Sequence, residues 1–197
     1  MLTLCMDTSH KYMGIALLDG EKIIDQKSMD CFKQQSELLL VEVDAMMKKN
    51  GYAPKDIKAI CISRGPGSYT GVRIAMTVAK VLGALEPIEV YTVSTLRLYS
   101  AGKKGITLLD ARSNRAYCGN YLSEEAKESI ETLDELKKMD LDGVTLFADG
   151  HLLGKEDLFY PIGECFMNTR PYYEHVENIH SLIPEYFKGI EGYQKQQ

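Results

Sequence analysis

Two aspartates end apolar runs in this chain of 197 residues. Asp7 follows Leu2-Thr3-Leu4-Cys5-Met6, and Asp110 follows Ile106-Thr107-Leu108-Leu109. Each opens a polar turn, and the two stand 103 residues apart. Carboxylate oxygens suit hard cations, so one chemistry open to the pair is to hold a hydrated Mg²⁺ between two lobes. The plainer reading, which the residues alone favour, is that each aspartate caps its own turn.

A second candidate lies between them. Gly65, Pro66, Gly67, Ser68 and Gly71 separate a β-branched run (Ile57, Ile60, Ile62) from an apolar helical stretch. Free backbone N–H groups before a helix can cradle an anion, with Gly67 and Ser68 closest to it. The loop has no Gly-Lys-Ser/Thr and does not match GxGxxG. A tight strand-to-helix turn is the better reading of the residues. Four of the six arginines, Arg64, Arg73, Arg112 and Arg115, fall in or beside these two regions. Arginine suits planar anions and interfaces.

Other chemistries are weaker. Ser9, Ser68 and Ser113 are possible nucleophiles, but no GxSxG elbow is present. His10, His151, His175 and His180 form neither HxxxH nor HExxH, which argues against zinc. Five scattered cysteines (Cys5, Cys31, Cys61, Cys118 and Cys165) form no CxxC and read as small core residues.

The elements that must position these residues are those of an α/β protein. Strands are expected over 2–7, 14–18 and 22–26, with a turn at Asp19 and Gly20. A helix is expected over 36–50, with Leu39, Val43 and Met46 on one apolar face and Leu38, Val41 and Ala45 on the next. Thr70 is the expected N-cap of the next helix and Gly83 its end. In that helix Arg73, Thr77 and Lys80 form one polar stripe, while Val72, Ile74, Met76, Val78, Ala79 and Val81 are apolar. Such a helix is covered on most sides, by its own sheet or by a partner.

A strand over 88–93 and a helix over 95–101, capped by Ser94, follow. Residues 102–105 are the expected boundary between a first lobe, 1–102, and a shorter second lobe, 103–197. The second lobe opens with the strand–Asp–turn–strand layout of the first, which hints at duplication. It continues with a short solvated helix within 123–139, a strand over 143–148 and a terminal helix over 171–183. The tail 192–197 is expected to fray.

The composition, 45% hydrophobic and 26% charged, is that of an ordinary soluble domain. No apolar run approaches the ~20 residues needed to span a bilayer, and the N-terminus lacks a basic region before an apolar core. The expectation is a cytoplasmic protein. Net charge is +1 over residues 1–100 and −6 over 101–197. An acidic second half is a poor platform for nucleic acid, so any RNA must be held largely by a partner.

Four motifs carry a family resemblance. They are Met6-Asp7-Thr8-Ser9; Ser63-Arg64-Gly65-Pro66-Gly67-Ser68-Tyr69-Thr70-Gly71-Val72-Arg73; Val93-Ser94-Thr95-Leu96; and Leu109-Asp110-Ala111-Arg112 with Tyr117. In this order and spacing they resemble the TsaB (YeaZ) family over residues 1 to 120. The resemblance implies a two-lobed actin/Hsp70/sugar-kinase-like (ASKHA) fold with mixed sheets flanked by helices. It implies a part in forming N6-threonylcarbamoyladenosine (t6A) beside the anticodon of tRNAs that read codons beginning with A. In that pathway the TsaB-like subunit is not the transferase. It pairs with TsaD, TsaE joins as an ATPase, and TsaC supplies threonylcarbamoyl-adenylate.

The implied cofactors follow the same division. None is bound by this chain alone, and ATP or ADP and a metal belong to the partner subunits; tRNA is met through the complex. Homodimers in isolation are expected through the same surface. Family interfaces use the first-lobe helices, which places Leu39, Val43, Met46, Met47, Val72, Arg73, Met76, Ala79 and Lys80 at the partner interface. Asp7, Gly67, Ser68 and Asp110 are the positions for any nucleotide or anion. Relatives often carry His-Ser and a proline in the first helix, where this chain has Gln35-Ser36 and Leu40. The alternative function is an ATP-binding phosphotransferase or ATPase of the same fold. A peptidase is the weakest reading.

Overall fold

Leu2, Leu4 and Met6 alternate with Thr3 and Cys5, and all five are buried. The first strand, β1 (Leu2–Asp7), therefore lies between two layers rather than at a surface. The computed structural model describes residues 1–31 and 33–187. β1 pairs antiparallel with β2 (Tyr12–Asp19), which pairs antiparallel with β3 (Lys22–Asp30). After α1 (Gln35–Lys49), β4 (Ala59–Ser63) returns parallel to β1. After α2 (Tyr69–Leu85), β5 (Glu89–Val93) lies parallel to β4. Parallel neighbours need such crossovers, and here helices supply them.

A short helix, α3 (Thr95–Tyr99), leads to the second sheet. There β6 (Ile106–Asp110) pairs antiparallel with β7 (Arg115–Asn120), and β7 with β8 (Lys127–Thr132). Beyond α4 (Leu133–Leu136), β9 (Leu146–Ala148) lies parallel to β6. Thus β6 stands to β7 and β9 as β1 stands to β2 and β4. That shared arrangement is the two-lobed pattern of mixed sheets flanked by helices.

The chain then comes back. Helix α5 (Ile162–Asn168) packs on β2 and β3, and β10 (Glu174–His175) pairs with β5. The first sheet has the order β10-β5-β4-β1-β2-β3 and the second β8-β7-β6-β9. One face of the first sheet packs Met6, Ile15, Ile60 and Ile62 against Leu39, Met46, Val72 and Met76 of α1 and α2. Its other face packs Cys5, Ala16 and Cys61 against Leu98 of α3 and Phe166 of α5. α3 also meets the second sheet through Leu96, Tyr99, Leu109 and Tyr117.

Several expectations are corrected. The division at residue 102 does not hold, because 162–175 rejoin the first sheet. There is no terminal helix over 171–183. Tyr173 turns inward and its hydroxyl donates to the Phe166 carbonyl at 2.7 Å. Glu174 and His175 then pair with Thr92 and Tyr91, and among the described residues a single 3-10 turn, Ile179–Ser181, follows. Tyr172 and Ile183, which helical spacing would align with Val176 and Ile179 on one apolar side, are exposed. Sheet pairing with a distant strand has overridden the helical spacing.

The short helix expected within 123–139 is α4, and strand β8, which was not expected, precedes it. Ser68, not Thr70, caps α2, and the helix runs past Gly83 to Leu85. The tail 192–197 lies outside the described residues. All five cysteines are free and buried. No helix among the described residues is long and apolar enough to cross a membrane.

Candidate functional site

The chemistry-bearing residues converge where the two sheets meet, and most are bonded to one another. Asp7 is fully buried at the end of β1. Its Oδ1 accepts hydrogen bonds from the Ser9 backbone at 3.0 Å, from Ser9 Oγ at 2.6 Å and from Ser63 Oγ. Its Oδ2 accepts from the Tyr99 hydroxyl at 2.6 Å. Burial, the Asp7 charge and that bond together push the Tyr99 phenol well above its usual range. Charge-assisted bonds of this kind compensate a buried carboxylate. Both oxygens face protein donors, which does not fit a metal ligand. Asp110 is placed differently: it is exposed and accepts from the Arg112 backbone at 2.7 Å. The two aspartates have different surroundings and do not form a matched pair.

The glycine loop serves the same junction. Ser68 N–H donates to the Ser9 carbonyl at 2.7 Å, and Ser68 Oγ accepts from Gly71 N–H at 3.2 Å. Thr8 Oγ1 donates to the Gly71 carbonyl at 2.6 Å and accepts from Ala75 N–H at 3.1 Å. A Cβ on Gly71 would stand 2.1 Å from the Thr8 carbonyl oxygen, and one on Gly67 2.5 Å from that of Ser9. The glycines admit the turn after β1 against the start of α2. The N–H and hydroxyl of Ser68 are thus taken up by this turn and the helix cap, as the tight-turn reading of the loop expects, which leaves them turned away from an anion.

Sequence reasoning missed the bond that spans the sheets. His10 Nε2 lies 3.1 Å from Asp149 Oδ1, and the Asp110 backbone donates to Asp149 Oδ2 at 2.9 Å. Burial opposes the Asp149 charge, but the bond to His10 and its charge win, and the carboxyl is held below its usual range. Tyr12, Tyr99 and Phe159 surround the imidazole, with ring centroids 5.4, 5.8 and 5.4 Å away. No spacing in the chain points to this pair, since His10 and Asp149 belong to different lobes.

The helix positions assigned to a partner need the largest correction. Leu39, Val43, Met46, Met47, Val72, Met76 and Ala79 are buried in the protein's own core. Their periodicity marks the face turned to the sheet. Arg73 and Lys80 lie outside it, and the chain's C-terminal segment already binds both. Arg73 Nε donates to the Tyr186 hydroxyl at 2.9 Å, and Lys80 Nζ lies 3.4 Å from the His180 carbonyl. That segment also packs Val176, Ile179 and Leu182 onto the core beside Ile74, Val78 and Leu82. The second apolar side of α2 is thus largely covered by the chain itself.

What α1 and α2 leave open is a different set. Leu40 and Val41 on α1, and Val81 and Leu85 on α2, are exposed. Arg73, Thr77, Val81 and Leu85 recur every fourth residue and form one ridge. The signal in the sequence is that large apolar residues stand off the stripe of Leu39, Val43 and Met46 on α1 and of Val72, Met76 and Ala79 on α2.

Comparison with known proteins bears on this arrangement. The family model described as "TsaD: tRNA N6-adenosine threonylcarbamoyltransferase" matches residues 29–157. A Mycoplasma pneumoniae protein described as "Uncharacterized protein MG208 homolog" is 27% identical over 97% of this chain and 87% of its own length. The Bacillus subtilis tRNA threonylcarbamoyladenosine biosynthesis protein TsaB is 34% identical over 61% of this chain. That match spans 55% of the relative, about half its length. Among solved structures, YeaZ from Pseudomonas aeruginosa has a TM-score of 0.72 at 22% identity, covering 94% of this chain and 99% of that one. Another from that organism, titled as similar to peptidase YEAZ, reaches 0.78 at 21% identity over 95% and 99%. At these identities the structures speak for the fold alone, while the family model and the named relatives carry the assignment. The chain belongs to the TsaB (YeaZ) family, within the group that the TsaD family model describes.

Proposed function

We propose that the chain is a non-catalytic scaffold subunit in the formation of N6-threonylcarbamoyladenosine on tRNA. It pairs with a TsaD-like transferase subunit and stabilises it, and a TsaE-like ATPase joins the pair. Nucleotide and metal belong to those partners, and tRNA is reached through the complex in the cytoplasm. One observation carries the reading. Protein donors surround the buried carboxylate at the lobe junction, while two neighbouring helices leave Leu40, Val41, Val81 and Leu85 in solvent. Exposed large apolar residues on a helix layer suit a partner helix. The family's tRNA-modification names support the pathway.

The partner face of this proposal is the ridge of Thr77, Val81 and Leu85 with Leu40 and Val41, in place of the buried positions that the family resemblance implied. The test is affinity purification of the tagged chain from its native cell. The TsaD-like subunit is expected among the retained proteins, and its absence from them would count against the pairing.

A further inference from the structure

Three consecutive residues near the end of the described chain reach three separate anchors. Glu185 N–H donates to the Arg64 carbonyl at 2.8 Å, and its carboxylate accepts from Arg64 Nε at 2.8 Å. Tyr186 stacks on Tyr69 at 5.3 Å between ring centroids, and its hydroxyl accepts from Arg73 Nε. Phe187 meets Tyr117 edge-on at 6.0 Å. It packs against the cluster formed by Leu96, Tyr99, Leu109 and Ala148. Arg64, Tyr69 and Arg73 belong to the first lobe, and Tyr117 and Leu109 to the second sheet.

The rest of the chain is shaped for this crossing. A Cβ on Gly65 would stand 2.6 Å from the Glu185 carbonyl oxygen, and φ at Gly65 is +110°. Only glycine lets the segment lie so close at that backbone angle. Arg64 also pairs with Glu174, so two acidic residues of the C-terminal segment share one guanidinium. Burial works against the Arg64 charge, but these two partners outweigh it and raise its pKa.

We infer that residues 185–187 form a reversible clasp that ties the second sheet to the start of α2. The Glu185 and Tyr186 contacts are part-exposed and Phe187 is only partly buried at the edge of its cluster, so water competes for all three and the clasp opens without unfolding either sheet. Closed, it holds the two lobes at one angle and keeps Tyr69 and Arg73 engaged. Open, it releases both onto the ridge proposed as the partner face. That last consequence rests on the proposed pairing; the clasp itself does not.

Hydrogen exchange on the full chain without any partner tests it. Phe187→Ala removes the anchor on the second sheet, and Glu185→Gln weakens the one on Arg64. Each is expected to speed exchange about tenfold in the amides of 64–71 and 106–120 together, the order expected for losing one aromatic or charged contact. β2 and β3 amides should keep their wild-type rates. Unchanged rates over 106–120 in Phe187→Ala would overturn the clasp. So would an equal rise in β2 and β3, which would mean a general loss of stability. Because no partner is present, a failed clasp and a failed pairing are told apart.

Discussion

His10, in the turn after β1, meets Asp149, at the end of β9, at 3.1 Å across the junction of the two sheets. The pair bonds the lobes through one buried carboxylate that also holds the Asp110 backbone. The Asp149 carboxyl is depressed in the fold, so its stabilisation is complete above the unfolded carboxylate range. It is lost as the pH falls through the folded value, below about 4. Asp149→Asn should cost about 1–3 kcal/mol at neutral pH, from an impaired buried bond. It should also flatten part of the acid-side decline. Urea midpoints for both proteins between pH 7 and 3 check this; parallel curves would mean that the pair contributes nothing.

The bond from Tyr99 to Asp7 should behave as structure. Tyr99→Phe removes one donor from a buried carboxylate and is expected to cost about 1.5–3 kcal/mol. Asp7→Ala strands three side-chain hydroxyls, of Ser9, Ser63 and Tyr99, and should cost more. Equilibrium unfolding in urea gives both values. Equal midpoints for the wild type and Tyr99→Phe would remove Asp7 from its place as the hub of the junction.

The same geometry bears on the phosphotransferase alternative. With both Asp7 oxygens bonded to protein groups and the glycine loop docked on Thr8 and Ser9, titration of the isolated chain with Mg-ATP should give no saturable heat. Tight binding that disappears in Asp7→Ala would favour the enzyme reading.

Gly71→Ala should weaken the seat of α2. Its Cβ would stand 2.1 Å from the Thr8 carbonyl oxygen, so the backbone must move. Overpacking of this kind costs about 1–3 kcal/mol. A control at Gly20, where an added Cβ meets nothing within 4 Å, separates crowding from backbone preference, since that glycine has φ +55°. Thermal melts read both, and a Gly71→Ala melt equal to wild type would contradict the tight approach.

The strands and the first two helices could be read from the sequence because their apolar residues alternate or recur locally. The strand–Asp–turn repeat has a counterpart in the matching pairing of β1 with β2 and β4 and of β6 with β7 and β9. Sequence could not tell what the apolar side of α2 faces. Val72, Met76 and Ala79 face its own sheet, and Val176, Ile179 and Leu182 arrive from a hundred residues away to cover the next side. Helical spacing at Val176 and Ile179 likewise suggested a helix where edge pairing with β5 and docking on α2 determine the conformation. Asp7 was singled out, but its role depends on Ser63 and Tyr99, which only the fold brings to it. Helix α5 did carry a local signal in Ile162, Cys165 and Phe166, at helical spacing and all buried.

The most direct test of the scaffold reading is the affinity of the purified chain for its TsaD-like subunit, with Leu40→Glu and Val81→Glu beside the wild type. Both positions are exposed, so the variants should fold with unchanged melts. A charge set against an apolar partner face should weaken binding at least tenfold in each. Wild-type affinity in both variants would contradict the proposed face, and no binding by the wild-type chain would contradict the pairing itself.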